Sequence, residues 1–183
     1  MPRFERSLAA AIAILVLGAV GACGYRNPIT EPCPSFGILG DAEQVTSFNG
    51  AGHDLSNVAY RATLSAATLK CDYSKKERRG KTSRAVNGEL SVNLSVERGP
   101  ALSDTQVTVP YFVAITRGRK YVLARQEFSQ SFNLSAGTRV ASQEAIPVTI
   151  PLAKDLNGDS YEVVIGIILT PDQLAYNRAQ KSH

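Results

Sequence analysis

The chain has 183 residues, a formal net charge of +4 and three cysteines. This length suits one folded domain with a sizeable core. The mild positive charge excludes a strong overall affinity for nucleic acid, although a local cluster of cations can still bind an anionic surface.

An apolar segment lies near the start of the chain. Arg3 and Arg6 precede it, and residues 8–22 are apolar or small. About fifteen residues fall short of the roughly twenty that a membrane-spanning helix needs. A basic start, a short apolar core and small residues at the end are typical of a secretory signal. Residues 1–22 are therefore predicted to be a cleaved signal peptide.

The apolar segment ends in the letters VGAC, residues 20–23. This motif resembles the lipobox of bacterial lipoproteins, in which the cysteine thiol is diacylglycerated, the signal is cleaved before it and the new amino group is acylated. The resemblance implies that Cys23 is the lipidation site. Gly24, where Asp is typical of lipoproteins kept at the inner membrane, implies the outer membrane. The alternative is an ordinary signal peptide with an incidental cysteine.

Two thiols, Cys33 and Cys71, remain after Cys23. In the oxidising cell envelope two cysteines most often form a disulfide, and this pair is predicted to do so. Residues 23–36 are predicted to be a lipidated tether, because they are rich in proline and lack periodicity. Ten such residues reach at most about 35 Å, which keeps the domain close to the membrane.

Alternation of apolar and polar residues begins at residue 42 and predicts β-strands. It is clearest over residues 86–96, whereas the parity changes between Leu64 and Leu69 and predicts a bulge at 65–68. Further strands are predicted over residues 107–115, 121–134, 140–152 and 161–169. The last of these is apolar on both parities, as a central strand is.

These short strands, with turns between them and no long amphipathic helix, predict an all-β fold. We expect an immunoglobulin-like antiparallel β-sandwich over residues 37–178, with a closed barrel as the alternative. Pro110, Pro147 and Pro151 should mark edges or bulges, which favours the sandwich. Residues 179–183 are predicted to be a disordered tail.

A short helix is predicted at the end of the domain. Thr170 suits the N-cap, Pro171 the first helical position and Gln173 a capping box. The segment LTPDQLAYNR, residues 169–178, together with the lipobox, the early cysteine pair and the strands, resembles a group of uncharacterised lipoproteins of Gram-negative bacteria, mostly alphaproteobacterial. The resemblance covers most of the mature chain. It implies a lipid anchor in the outer membrane with the domain in the periplasm, and implies no chemistry.

Oxygen-bearing side chains alternate at Asp155, Asn157 and Asp159, as in the first half of an EF-hand calcium loop. The position for the closing Glu holds Gly166, so a hairpin turn built on Asn157-Gly158 is the favoured interpretation. No metal site and no cofactor are predicted.

A histidine at position 53 is the main candidate for a catalytic base. No G-x-S-x-G motif accompanies it, and the adjacent Asp54 rarely gives the geometry of a catalytic triad. We expect His53 to lie in a surface loop and predict no catalytic residues. A hydrolase is kept as a remote alternative.

The most charged stretch is residues 75–84, with a single acidic residue, Glu77. Its six cations are Lys75, Lys76, Arg78, Arg79, Lys81 and Arg84. It is interpreted either as a solvated hairpin loop or as a contact with anionic lipid or envelope polymer. Tyr73 is the only neighbouring aromatic residue, so stacking on nucleic acid is not expected.

Two function classes follow. The first is a membrane-anchored, non-catalytic binding or assembly module of the cell envelope, whose partner is another envelope protein. The alternative is a structural lipoprotein that contacts anionic lipid or polymer through its basic loop.

Overall fold

The computed structural model describes residues 31–50, 52–118, 120–135 and 138–181, which belong to one compact unit beginning at Glu31. The predicted signal peptide, Cys23 and the tether up to residue 30 lie outside the described residues. The elements are β1 (Ser35–Ile38), β2 (Gln44–Phe48), β3 (Val58–Arg78), β4 (Lys81–Arg98), β5 (Gln106–Arg117), β6 (Tyr121–Asn133), β7 (Arg139–Leu152), β8 (Tyr161–Ile167) and α1 (Pro171–Lys181).

The strands form two four-stranded sheets. Sheet A has the order β1-β8-β5-β6, and sheet B has the order β2-β3-β4-β7. The first strand, β1, runs parallel to β8, and the other pairs are antiparallel. Buried apolar side chains from both sheets form one core cluster. The predicted all-β sandwich is thereby confirmed at the level of architecture.

Alternation along β4 provides much of this core, as the sequence predicts. Leu90, Val92, Leu94 and Val96 are each at most 1% exposed. The predicted bulge in β3 is also confirmed, because the register between β3 and β4 shifts between Leu64 and Ala66. The apolar strand β8 lies between β1 and β5, where both of its edges are paired.

The prolines divide into two cases. Pro147 and Pro151 lie on β7, which is an edge strand of sheet B, as expected. The expectation was wrong for Pro110, because β5 is an interior strand of sheet A. The register of β5 with β8 begins at Tyr111–Ile167, so Pro110 lies one residue past the end of β8. Its missing N–H therefore removes no bond from the ladder.

Both ends of the folded unit extend beyond the predicted domain. Strand β1 begins at Ser35, inside the predicted tether, and α1 continues to Lys181, through part of the predicted disordered tail. The capping box explains how the helix begins: the Gln173 N–H donates to Thr170 Oγ1 at 3.3 Å and the Thr170 N–H donates to Gln173 Oε1 at 3.0 Å. An ion pair between Lys181 and Glu43, 3.1 Å long, helps to hold its last turn.

Helix α1 covers the edge strand β2 through a buried amide. The Nδ2 of Asn177, which is 1% exposed, donates to the carbonyl oxygens of Asp41 at 3.0 Å and Gln44 at 2.7 Å. The Arg178 guanidinium adds an ion pair with Asp41 at 2.9 Å. Sequence periodicity does not reveal this role of Asn177, because a polar residue on a short helix normally faces water.

The predicted disulfide joins Cys33 and Cys71 in the structure, with their Cα atoms 6.0 Å apart. It links the segment before β1 to the middle of β3, two residues that are 38 apart in sequence. The start of the folded unit is therefore fastened covalently to sheet B.

Candidate functional site

The chain enters the sandwich at the end that carries the basic residues. The Tyr73 hydroxyl donates to the carbonyl of Pro32 at 2.6 Å and accepts the Gly158 N–H at 2.8 Å. One side chain of β3 thus joins the incoming chain to the connection between β7 and β8. We call this region, which includes the Cys33–Cys71 disulfide, the entry end of the sandwich.

The β7–β8 connection differs from the predicted hairpin turn. It crosses from sheet B to sheet A, and the positive φ of 65° belongs to Asp155 instead of Asn157-Gly158. Gly158 is needed for a different reason: a Cβ there would lie 2.3 Å from the Pro32 carbonyl oxygen. Among the described residues no group of three or more His, Cys, Asp or Glu side chains is placed to hold a metal ion.

Arg84 has a structural role that separates it from the other five cations of its stretch. Its guanidinium pairs with Glu31 at 2.6 Å, bonds Asn157 Oδ1 at 3.2 Å and lies 5.9 Å from the centre of the Tyr73 ring. It is half-buried, and these contacts fasten the entry end further. The side chain is therefore engaged within the fold.

The other five cations lie on a hairpin that projects from the entry end; we call residues 75–84 the cationic hairpin. Pairing with β7 ends at Arg84–Leu152, and beyond it β3 and β4 continue as a two-stranded ribbon to Arg78–Lys81. Arg79 and Gly80 form the tip with φ values of 51° and 71°, which a two-residue hairpin turn requires. The ribbon extends about 15 Å at roughly 3.3 Å per residue.

Charge is unevenly distributed between the two faces of the cationic hairpin. Lys75 is paired with Glu77 at 3.0 Å on one face. By strand alternation, Lys76, Arg78 and Lys81 share the opposite face, and Arg78 lies directly across from Lys81. Like charges directly opposite each other are destabilising, and an anion bound to this face would offset that repulsion. All three side chains are exposed.

A second candidate surface is the outer edge of β6. The Leu134 N–H donates to the Thr105 carbonyl at 2.8 Å, one residue past the register of β5 and β6. Because the bonds of an antiparallel ladder alternate, even-numbered residues of β6 bond to β5 from Ala124 onward, beyond the register shift near the start of the strand. The backbone groups of Arg125, Glu127, Ser129 and Ser131 therefore face away from the sheet. Within the described residues no strand pairs with β6 on that side.

The edge of β7 is different. The Arg98 N–H donates to the Thr138 carbonyl at 2.7 Å, so alternation directs the odd-numbered residues of β7 outward. Pro147 and Pro151 are both odd-numbered. The missing N–H of each faces the outside and blunts this edge against another strand.

An apolar surface adjoins the β6 edge on the outer face of sheet A. Two grooves of about 500 and 540 Å³ share Leu39, Phe112 and Arg125 in their linings. The Arg125 guanidinium lies 4.5 Å from the centre of the Phe112 ring. At the start of β6, Tyr121 and Val122 are each 64% exposed, which is unusual for large apolar side chains in succession.

The side chains of His53 and Tyr111 both lie among aromatic rings. His53 lies in the exposed loop between β2 and β3, as predicted, with its ring 4.8 Å from Phe48 and 5.6 Å from Tyr176. Burial raises the pKa of Tyr111, and the carboxylate of Glu144 raises it further. The Tyr111 phenol is thus a protonated core group next to Phe128.

The cationic hairpin is evident from the sequence, but the β6 edge is not. Alternation predicts a strand over residues 121–134, yet the position of a strand within a sheet depends on long-range strand order. One local signal exists: Arg125, Glu127, Ser129 and Ser131 share a parity and the strand holds no proline. That pattern indicates an exposed strand face without saying which sheet edge it borders.

Comparisons with known proteins found no relative: no family model, no curated protein and no solved structure matches this chain. Within the part of the chain that the structure describes, no helix is both long enough and apolar enough to span a membrane.

The Tyr73 contacts generate a stability prediction. Tyr73→Phe removes the hydroxyl that serves Pro32 and Gly158, which leaves a buried N–H without its partner. We expect the free energy of unfolding to fall by about 1–3 kcal/mol. Tyr121→Phe, on a side chain that is 64% exposed, is the matched control and should change it by less than about 0.5 kcal/mol. Equal effects in denaturant titrations would contradict the role of Tyr73.

Proposed function

We propose that the protein is a membrane-anchored, non-catalytic binding or assembly module of a Gram-negative cell envelope. The observation that carries the proposal is the open edge of β6, a 13-residue strand without proline whose outward backbone groups lie beside an apolar face. An unpaired strand edge next to apolar surface is a template for a strand from another chain.

The anchor of this module is Cys23, lipidated in the outer membrane, with the domain in the periplasm. Support comes from the residues of the lipobox and from the likeness to alphaproteobacterial lipoproteins. The immunoglobulin-like assignment belongs to the same proposal. It is supported by two four-stranded sheets over one core and by a first strand that runs parallel to the last.

A proline scan of the two sheet edges tests the binding function. Ser129→Pro removes an outward N–H from β6, whereas Ala145→Pro removes an outward N–H from β7, an edge that already holds two prolines. We expect Ser129→Pro to reduce the size of the native complex in gently solubilised envelopes to that of the lone chain, with little change in melting temperature. Ala145→Pro should leave the complex intact. A complex that survives Ser129→Pro would contradict binding at β6.

Replacement of the anchoring thiol tests the membrane attachment. Cys23→Ser removes the only acceptor for the diacylglyceryl group, so labelled fatty acid should no longer enter the protein and the precursor should stay uncleaved. Wild-type protein in the same envelopes is the reference. Equal incorporation of label into the Cys23→Ser protein would refute lipidation at this residue.

A second candidate function is contact with an anionic surface, either lipid or envelope polymer. The observation that favours it is the position of the cationic hairpin at the entry end, where the chain from the proposed anchor joins the sandwich. A short tether keeps this end within reach of head groups. Cations near an anionic membrane each contribute about 1 kcal/mol to binding.

Two lysines on the same face of β3 provide a matched test of this contact. Lys76 lies on the projecting hairpin, and Lys70 lies six residues earlier over the sandwich. Lys76→Gln should weaken binding to phosphatidylglycerol-containing vesicles about fivefold at low salt, the equivalent of about 1 kcal/mol. Lys70→Gln should have little effect. Equal losses, or no loss for Lys76→Gln, would show that the hairpin is only a solvated turn.

A further inference from the structure

We propose that the partner of the β6 edge is β6 of a second copy of this chain, paired antiparallel about a two-fold axis at Gln126. The inference rests on the proposed binding function, because it names the partner of the same edge. The pairing uses only backbone and side-chain groups that each protomer exposes along β6.

Strand length and cover distinguish β6 from the other three edges. Strand β1 has four residues, and β2 has five and is covered by Asn177 of α1, which binds the Gln44 carbonyl. Strand β7 is blunted by Pro147 and Pro151. Strand β2 pairs only with residues 58–63 of β3, and the incoming chain covers part of the remaining edge of β3 through the Cys33–Cys71 disulfide and the Tyr73–Pro32 hydrogen bond. Among the four edge strands of the described residues, β6, with 13 residues, is the long one that neither proline nor α1 covers.

Backbone geometry permits a symmetric pairing at Gln126. The N–H and C=O groups of Arg125 and Glu127 point outward from the edge, as the ladder with β5 dictates. With the axis at Gln126, Arg125 lies opposite Glu127 of the second copy, and each such pair exchanges two backbone hydrogen bonds. Side chains with the same parity then lie on the same face of the combined sheet.

Charge selects this register over its neighbours. Arg125 and Glu127 pair within one strand at 3.0 Å, and both side chains are about half exposed or more. With the axis at Gln126, Arg125 lies opposite Glu127 of the second copy, and Glu127 lies opposite Arg125 of the second copy. An axis at Arg125 places two arginines directly opposite each other, and an axis at Glu127 places two glutamates opposite, and both arrangements are destabilising.

The pairing also covers the exposed start of β6. Leu123, which is 48% exposed, is the extra residue at the register shift of β5 and β6, and it lies near Ser129 of the second copy. The two A sheets become one continuous eight-stranded sheet, and their apolar outer faces adjoin. The entry ends lie at opposite ends of the dimer.

Engineered cysteines test the axis directly. In the lipidated full-length protein, Gln126→Cys should form a disulfide-linked dimer on mild oxidation, because non-hydrogen-bonded antiparallel partners have Cα atoms about 4.5 Å apart. Ser131→Cys is the matched control on the same strand. Its copies lie about 33 Å apart in this register and should stay unlinked. A monomeric Gln126→Cys protein, or equal linking of Ser131→Cys, would overturn the proposal.

A charge swap, made with the cysteine kept at position 126, tests whether Arg125 and Glu127 set the register. In the Gln126→Cys background, Arg125→Glu or Glu127→Arg alone should lower the yield of linked dimer at least fivefold. The double variant, with both charges exchanged, should restore most of it. A double variant no better than either single one would overturn self-pairing. Linking of Gln126→Cys to a different envelope protein would also overturn it and leave the proposed binding function intact.

Discussion

A sandwich of two separate sheets has four edge strands, and each of them presents backbone N–H and C=O groups that the sheet itself does not pair. This constraint organises the surface of the protein. Strand β1 is short, β2 is covered by the helix through Asn177, and β7 carries Pro147 and Pro151. Strand β6 is long and has none of these protections. Because β6 is the edge strand without such protection, its edge is a candidate functional surface.

The entry end depends on a few contacts made by the first residues of the folded unit. The Tyr73 hydroxyl, the Cys33–Cys71 disulfide and the Arg84–Glu31 ion pair connect those residues to sheet B. Gly158 lets the β7–β8 connection approach closely enough to complete the contact. The cationic hairpin therefore projects beside the point where the chain enters, and the lone acidic residue of the hairpin is paired on its other face.

Local chemistry made much of the fold predictable. The alternation in β4, the bulge in β3 and the capping box of α1 each depend on residues that are neighbours in sequence, and all three were predicted correctly. Pro110 was misassigned because its tolerance depends on where β8 ends, which is a long-range property. The turn at Asn157-Gly158 was misassigned because β8 belongs to the other sheet.

The candidate surfaces divide in the same way. The cationic hairpin was predictable from composition, although the engagement of Arg84 by Glu31 and Asn157 required the tertiary structure. The β6 edge was not predictable, since strand order within the sheet decides which strand is left with one side unpaired. The residues of β6 form no distinctive motif in the sequence. Arg125 and Glu127 become complementary to a second copy because no strand of the described residues pairs with the outer side of β6.

Amide hydrogen exchange along β6, measured on the full-length protein at low and high concentration, tests the central claim most directly. At low concentration the N–H groups of Glu127 and Ser129 should exchange rapidly, while those of Phe128 and Gln130, bonded to β5, should exchange slowly. At high concentration Glu127 and Ser129 should become protected as well. Slow exchange of Glu127 and Ser129 in a sample that sedimentation shows to be monomeric would contradict an open edge, and rapid exchange at every concentration would contradict a second copy bound there.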